Sequence, residues 1–171
     1  MGNVVLPARV RLGIAVAVGG VAAAAAAVGW ARRRWAVVLV DGVSMLPTLR
    51  HGDRVVVRRV ARDALRTGQV VVLQRRAAGG GWHTTPLPLR ALRRDGWYIK
   101  RIVAAPGDPV PVEAAAVIGA PAGTPVPAGQ LVLFGDNPAA STDSRHWGYA
   151  PVDRVLGVVV RRLDPEPAGG E

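Results

Sequence analysis

The chain has 171 residues, half of them hydrophobic, with 22 lysines and arginines against 12 acids and no cysteine. That length supports one domain with a real core and not two, and the missing thiols exclude a disulfide framework, a thiolate zinc site and a cysteine nucleophile. The formal charge of +10 invites a nucleic-acid partner, but the arginines are spread along the whole chain without a recognition module beside them, and a surface facing anionic lipid accounts for them equally at about 1 kcal/mol per residue.

Residues 1–11 form a short tail carrying Arg9 and Arg11. From Leu12 to Trp30 no charge appears over 19 residues, which as a helix would span ~28 Å, close to the hydrocarbon thickness of a bilayer. Arg32, Arg33 and Arg34 close the segment, and Trp30 and Trp35 stand where interfacial aromatics belong. A single transmembrane anchor is expected over 12–31. The competing reading is a cleaved secretory signal, since Arg9 and Arg11 precede an apolar stretch with small residues in A-x-A spacing. Three arginines directly after that stretch fit a stop-transfer flank better than a mature N-terminus. The flanking charges, taken alone, would put the C-terminal domain inside the cell.

Beyond the anchor, Val37–Val40 reads as a strand, His51-Gly52-Asp53 as a turn and Arg54–Arg58 as a second strand. Gly68-Gln69 turns the chain into Val70–Leu73. Residues 77–95, rich in Gly, Pro and Arg, have no sustained period and are expected as a surface loop. Strands are expected again at Trp97–Val103, Val110–Val112, Leu131–Phe134 and Leu156–Leu163, with an Ala/Pro/Gly connection over 113–129 and a loose tail over 164–171. Twenty-one glycines and 14 prolines favour such short strands and turns over long helices. The fold class is therefore mainly β: a compact domain over 36–163 of short antiparallel strands behind one N-terminal helix.

Only three serines occur, Ser44, Ser141 and Ser144, and only one lysine, Lys100, among 21 arginines. Ser44 follows the first strand, with Gly42 before it and Pro47 after, a pattern that ordinary turn chemistry also produces. A serine hydroxyl becomes nucleophilic when a nearby base takes its proton. His51, His83 and His146 are candidate bases, but no signature links any of them to Ser44. Lys100 is the alternative. A lysine can lose its proton where an arginine effectively cannot, and burial lowers its pKa by up to ~3–5 units. Lys100 sits between Trp97-Tyr98-Ile99 and Ile102-Val103, apolar neighbours able to desolvate it, while strand alternation sends Arg101 to the opposite face, toward solvent.

Three segments carry a resemblance. Gly42-Val43-Ser44-Met45-Leu46-Pro47-Thr48-Leu49, followed by His51-Gly52-Asp53, resembles the nucleophile box of type I signal peptidases. Tyr98-Ile99-Lys100-Arg101-Ile102-Val103-Ala104-Ala105-Pro106-Gly107-Asp108 resembles their lysine box, and the run from Gly135-Asp136-Asn137 to His146-Trp147-Gly148 resembles their last box. The resemblance implies a membrane-bound serine endopeptidase that removes signal peptides from exported precursor proteins, with Ser44 as nucleophile and Lys100 as general base. It implies that Ser141 orients the lysine amine, that Asp143 and Arg145 form a bracing ion pair, and that Asp136 is a further structural acid. Met45, Tyr98 and Ile99 match positions lining the pockets for small residues before the cut, and would serve equally as plain core. Gly42 stands where some members carry a serine hydroxyl donor, so the second oxyanion donor has no assigned residue. No cofactor, metal or nucleic-acid partner is expected; exported precursors and membrane lipid are. The catalytic domain is expected outside the cytoplasm at the cell membrane, because an export peptidase meets its substrates after translocation. A maturation enzyme dedicated to one partner protein fits the same residues. A non-catalytic basic membrane module would explain the charge and the anchor, and leave the three boxes without a purpose. A self-cleaving repressor with the same Ser and Lys lacks a preceding helix-turn-helix.

Overall fold

The computed structural model describes residues 34–82 and 96–163, with residues 25–26 and 29–30. The expected tail over 1–11, nearly all of the anchor expected over 12–31, His83 with the rest of the 77–95 loop beyond residue 82, and the tail over 164–171 lie outside the described residues. Among the described residues no helix is long and apolar enough to cross a membrane. The chain divides into two compact units, Met1–Trp35 and Ala36–Glu171. In the first, the Arg34 guanidinium lies 5.3 Å from the centroid of the Trp30 ring, within cation–π reach.

The second unit is built on one seven-stranded sheet. Its strands are β1 (Trp35–Leu39), β2 (Arg54–Arg58), β3 (Val70–Gln74), β4 (Trp97–Ala104), β5 (Gln130–Phe134), β6 (Ala150–Pro151) and β7 (Val155–Leu163), in the order β1-β2-β7-β3-β4-β5-β6. The pairings β2–β7, β7–β3, β3–β4, β4–β5 and β5–β6 are antiparallel. The valine-rich runs explain why these segments are strands: β-branched side chains pack well on a pleated surface and lose χ1 freedom in helices. In β2, Val55 and Val57 are buried while Arg54 and Arg58 are exposed, the alternation of a half-buried strand. In β3, Val71, Val72, Leu73 and Gln74 are all buried, as a central strand covered on both faces requires.

Two expectations are corrected. Val110–Val112 is not a strand: Val110 exchanges backbone hydrogen bonds with Thr124 and Gly123, and Pro109 forms an isolated bridge with Pro125, but no ladder follows, because Pro109 and Pro111 supply no N–H to one. The 113–129 connection is not all loop either, since α1 (Val112–Ile118) opens it. Its core is Glu-Ala-Ala-Ala, strong helix formers, and it ends at Gly119 in a left-handed conformation (φ 73°), the usual helix stop. A second short helix, α2 (Ser144–Trp147), packs against α1. It starts in a capping box: Asp143 accepts from the Arg145 N–H, and His146 reaches back to the Asp143 N–H.

The buried side chains form three clusters. One centres on Val71, Leu73, Ile102, Leu131 and Leu133. A second gathers Val38, Val40, Met45, Leu49, Val55, Val57 and Val72, and so ties the loop after β1 to the sheet. The third places Ala114 of α1 against Ala104, Val110, Val126 and Val132. β1 also exposes apolar surface, with Val37 51% and Leu39 41% accessible and Val43 beyond it at 46%.

Candidate active site

The loop from Val40 to Asp53 is closed at its base by two backbone hydrogen bonds, Val40 N–H to the Asp53 carbonyl (2.8 Å) and Gly52 N–H to the Val40 carbonyl (2.9 Å). Met45 and Leu49, 2% and 5% exposed, plug its apolar side chains into the core. The Leu46–Pro47 peptide between them is cis. Ser44 is held from behind by the last of the three boxes: the Asn137 N–H donates to the Ser44 carbonyl at 2.9 Å, and Asn137 Nδ2 donates to the Val43 carbonyl at 3.2 Å. Gly135 makes that approach possible, since a Cβ there would fall 2.6 Å from the Ser44 carbonyl oxygen and collide with Ser141 Oγ. Both Ser44 carbonyl and neighbouring backbone are thus committed, while the Ser44 N–H has no acceptor among the described residues.

Lys100 stands in the middle of β4, opposite Val71 of β3, on the face that also buries Ile102 and Ala104. It is 3% exposed, and its Nζ lies 2.9 Å from Ser44 Oγ in hydrogen-bond geometry. Burial drives its pKa down to about 8; the carboxylates of Asp143 and Asp136 push it up and the Arg145 guanidinium pushes it down. A pKa near 8 leaves roughly a tenth to a fifth of the amine neutral near pH 7.4, against about one part in a thousand at the reference value. A neutral amine at this distance can accept the hydroxyl proton.

Behind the amine lies a fully satisfied buried carboxylate. Asp143 is completely buried. It accepts from the Gly135 N–H (2.8 Å), the Ser141 hydroxyl (2.7 Å) and Arg145 Nε (2.9 Å), with Arg145 Nη2 as a further donor. Burial by itself would raise its pKa, but the donors from Arg145, Gly135 and Ser141 together hold it below the ordinary aspartate value. The hydrogen bond of the Ser141 hydroxyl therefore goes to Asp143, and none joins it directly to Lys100. Arg145 also stacks on Phe134, 4.6 Å from the ring centroid.

On the opposite face of β4, Arg101 is not simply solvated as expected. Its Nε and Nη2 donate to Asp136 at 2.9 and 2.6 Å, and Nη1 donates to the Gly68 carbonyl at 2.8 Å. Thr48 donates to the same Asp136. Asp136 is held below its ordinary pKa by these donors, against the upward push of burial, and Arg101 is raised by its bond to Asp136. This second ion pair fastens the Val40–Asp53 loop, through Thr48, to the strand carrying Lys100.

Beside Ser44 and Lys100 runs a groove of about 260 Å³ between the backbone of β1 and its loop (Val37–Met45, except Val43) and the start of β4 (Trp97–Lys100). Met45, Tyr98 and Ile99 all line it, and Tyr98 leans on Trp147 with ring centroids 5.0 Å apart. Neither described histidine bonds to Ser44. His51 Nδ1 accepts the Gly42 N–H at 3.2 Å and sits 3.3 Å from Asp41, and His146 caps α2. Sequence reasoning missed Thr48, Asn137 and Trp97 as participants. Asn137 stands inside a quoted box, but its hydrogen bonds to residues 93 and 94 positions away in sequence leave no local signal.

A family model described as signal peptidase, peptidase S26, matches residues 13–120 and 119–163. The chain is 32% identical over 150 residues to a probable signal peptidase I-2 of Synechocystis sp., a match that takes in 77% of this chain and 64% of that protein, so the chain spans just under two thirds of the relative's length. It is 24% identical over 159 residues to a signal peptidase I of Bacillus caldolyticus, covering 74% of this chain and 78% of the relative. A mitochondrial ATP-independent inner membrane protease subunit 1a of Arabidopsis thaliana is 33% identical over 130 residues, with 74% and 68% covered.

Proposed function

This chain belongs to the signal peptidase family S26, and we propose that it is a membrane-bound serine endopeptidase that cuts signal peptides from exported precursors, with Ser44 as nucleophile and Lys100 as general base. The observation that carries the proposal is the 2.9 Å hydrogen bond between Ser44 Oγ and an amine whose pKa burial has lowered to about 8. Neutral Lys100 takes the Ser44 proton as Oγ attacks the scissile carbonyl. The developing oxyanion draws on the uncommitted Ser44 N–H. Lys100 then gives its proton to the leaving amine, and the acyl ester on Ser44 is hydrolysed by a water that Lys100 deprotonates. Ser141, Asp143 and Arg145 act as positioning residues: a carboxylate already saturated by Ser141, Gly135 and Arg145 has little capacity left to bind the amine and fix its proton. Asp136 with Arg101 braces the loop.

The substrate lies extended in the groove between β1 and β4, adding a strand whose alternate side chains enter the pockets near Met45, Tyr98 and Ile99. A groove of about 260 Å³ suits small residues, as at Ala-x-Ala sites. The exposed Val37, Leu39 and Val43 put apolar surface beside the groove, which suits work at a lipid boundary, and the domain faces outward from the cytoplasm. The test is cleavage of a model precursor with the cut site mapped. Wild type should cut after a small residue and Lys100→Arg should not cut at all; near-normal cutting by the variant would remove Lys100 from the mechanism.

A further inference from the structure

Strand alternation sorts the side chains of β1, β2 and β7 onto two faces. Val38 of β1 and Val55 and Val57 of β2 enter one core cluster, so Val37 and Leu39 share the other face with Arg54, Val56 and Arg58. Val37, Leu39, Arg54 and Arg58 are all exposed. Across the ladder, Val56 faces Arg161 of β7, and cross-strand partners stand on the same side. Arg161 is exposed too, and it sits diagonally between Arg54 and Arg58, about 7–8 Å from each in an ordinary antiparallel pair. Three guanidiniums therefore crowd one patch, next to two exposed apolar side chains.

Other arginines of the domain hold a carboxylate: Arg101 has Asp136, Arg145 has Asp143 and Arg154 has Asp153. Arg162, which faces Val55 and so belongs to the opposite side of the sheet, lies 3.6 Å from Asp53. Asp53 is further engaged by the Arg50 N–H at 2.8 Å. Arg54, Arg58 and Arg161 have no such partner: among the described residues, none of their side chains makes a hydrogen bond, an ion pair or a ring contact. Like charges set against one another in a sheet repel, and an anion laid over the three would relieve that repulsion. Guanidinium forks match phosphate oxygens bidentately. A nucleic acid would satisfy the arginines and leave Val37 and Leu39 in water. A bilayer containing anionic phospholipid meets both needs, with phosphates over the arginines and apolar chain beside Val37 and Leu39. We propose that this face of β1, β2 and β7 docks on anionic phospholipid, and that Arg54, Arg58 and Arg161 together read the headgroup charge. Because β1 is also a wall of the substrate groove, lipid charge would seat that wall at the bilayer. This consequence rests on the peptidase reading; the lipid binding does not.

The test reconstitutes the full chain in phosphatidylcholine bilayers with a fluorophore on Val160→Cys, an exposed position beside Arg161; the chain has no cysteine of its own. A small fraction of lipid carrying a nitroxide near its headgroup then quenches the label according to its occupancy of this face. At low salt, nitroxide phosphatidylglycerol should be preferred over nitroxide phosphatidylcholine by about a hundredfold, since each arginine near an anionic surface contributes about fivefold. Arg54→Gln, Arg58→Gln and Arg161→Gln should each lower the preference about fivefold, and the three together should abolish it. The single variants keep the test open should the triple variant fail to fold. A wild-type preference below twofold, no quenching by either lipid, or a preference that survives the triple substitution would overturn the proposal. Displacement of the anionic lipid by an RNA duplex at equal phosphate concentration would overturn it in favour of a nucleic-acid partner. The readout needs no turnover, so an inactive preparation that keeps the lipid preference would count against the peptidase reading and not against this surface.

Discussion

Lys100 and Arg101 are consecutive cations on β4, and the two faces of that strand treat them oppositely. Lys100 is buried with a hydroxyl for a partner, and burial lowers its pKa to about 8. Arg101 keeps 31% of its side chain exposed, holds Asp136 through two nitrogens, and has its pKa raised. The difference is not charge or depth alone but whether a carboxylate is available. On the Lys100 side the nearby carboxylate, Asp143, is already saturated by Arg145, Ser141 and Gly135. A buried cation denied an ion-pair partner becomes a base; one given a partner becomes a brace.

The largest effect should come from making the two sides alike. Lys100→Arg puts a permanently charged group beside Ser44, and kcat/KM for a precursor peptide should fall at least ~10³-fold, as it should for Ser44→Ala. Unfolding midpoints near wild type would show that the loss is chemical. Releasing the saturated carboxylate comes next. Asp143→Asn leaves Arg145 without its buried partner and should cost about 3 kcal/mol by urea unfolding. Because the Asp143 charge raises the Lys100 pKa, any remaining activity should show its acid limb shifted to lower pH. Asp143 with its depressed pKa also contributes stability that is present above its unfolded pKa and lost as pH falls through the folded one.

The two cations should then respond with opposite signs to replacement by methionine. An amine with a folded pKa of about 8 against 10.5 costs the folded state about 3 kcal/mol where it is charged. The unfolded chain binds that proton more tightly, so the cost is full below pH 8 and disappears as pH rises through 10.5. Lys100→Met should therefore be more stable than wild type at pH 6.5, by up to about 3 kcal/mol, and not at pH 10.5. Arg101→Met strands Asp136 and should lose about 1–2 kcal/mol, less than a fully buried pair because the guanidinium is partly solvated. Equal signs for the two would erase the contrast. Smallest of all, Thr48→Val removes one exposed hydrogen bond to Asp136 and should cost about 0.5–1 kcal/mol by the same unfolding measurement.

What the sequence made legible follows from how local each signal is. The valine runs are strands because β-branched crowding acts within a few residues, and Arg54–Arg58 has the bounds expected. Ser44 and Lys100 stood out by rarity, one lysine among 21 arginines, and by lying in ordered boxes. Helix α1 was hidden inside an Ala/Pro/Gly stretch, although Pro111 before it and Gly119 after it mark its ends. The Arg101–Asp136 and Asn137–Ser44 links were not legible, since they join residues 35 and 93 apart through a sheet order that places β7 between β2 and β3.

The central claim is that the buried Lys100 amine is the proton acceptor for Ser44, and the pH dependence of kcat/KM for a precursor peptide tests it most directly. The rate should rise about tenfold per pH unit on the acid side and level off near pH 8, where Lys100 loses its proton. A rate independent of pH from 6 to 9, or an acid limb near 6.5 in the ordinary histidine range, would contradict it.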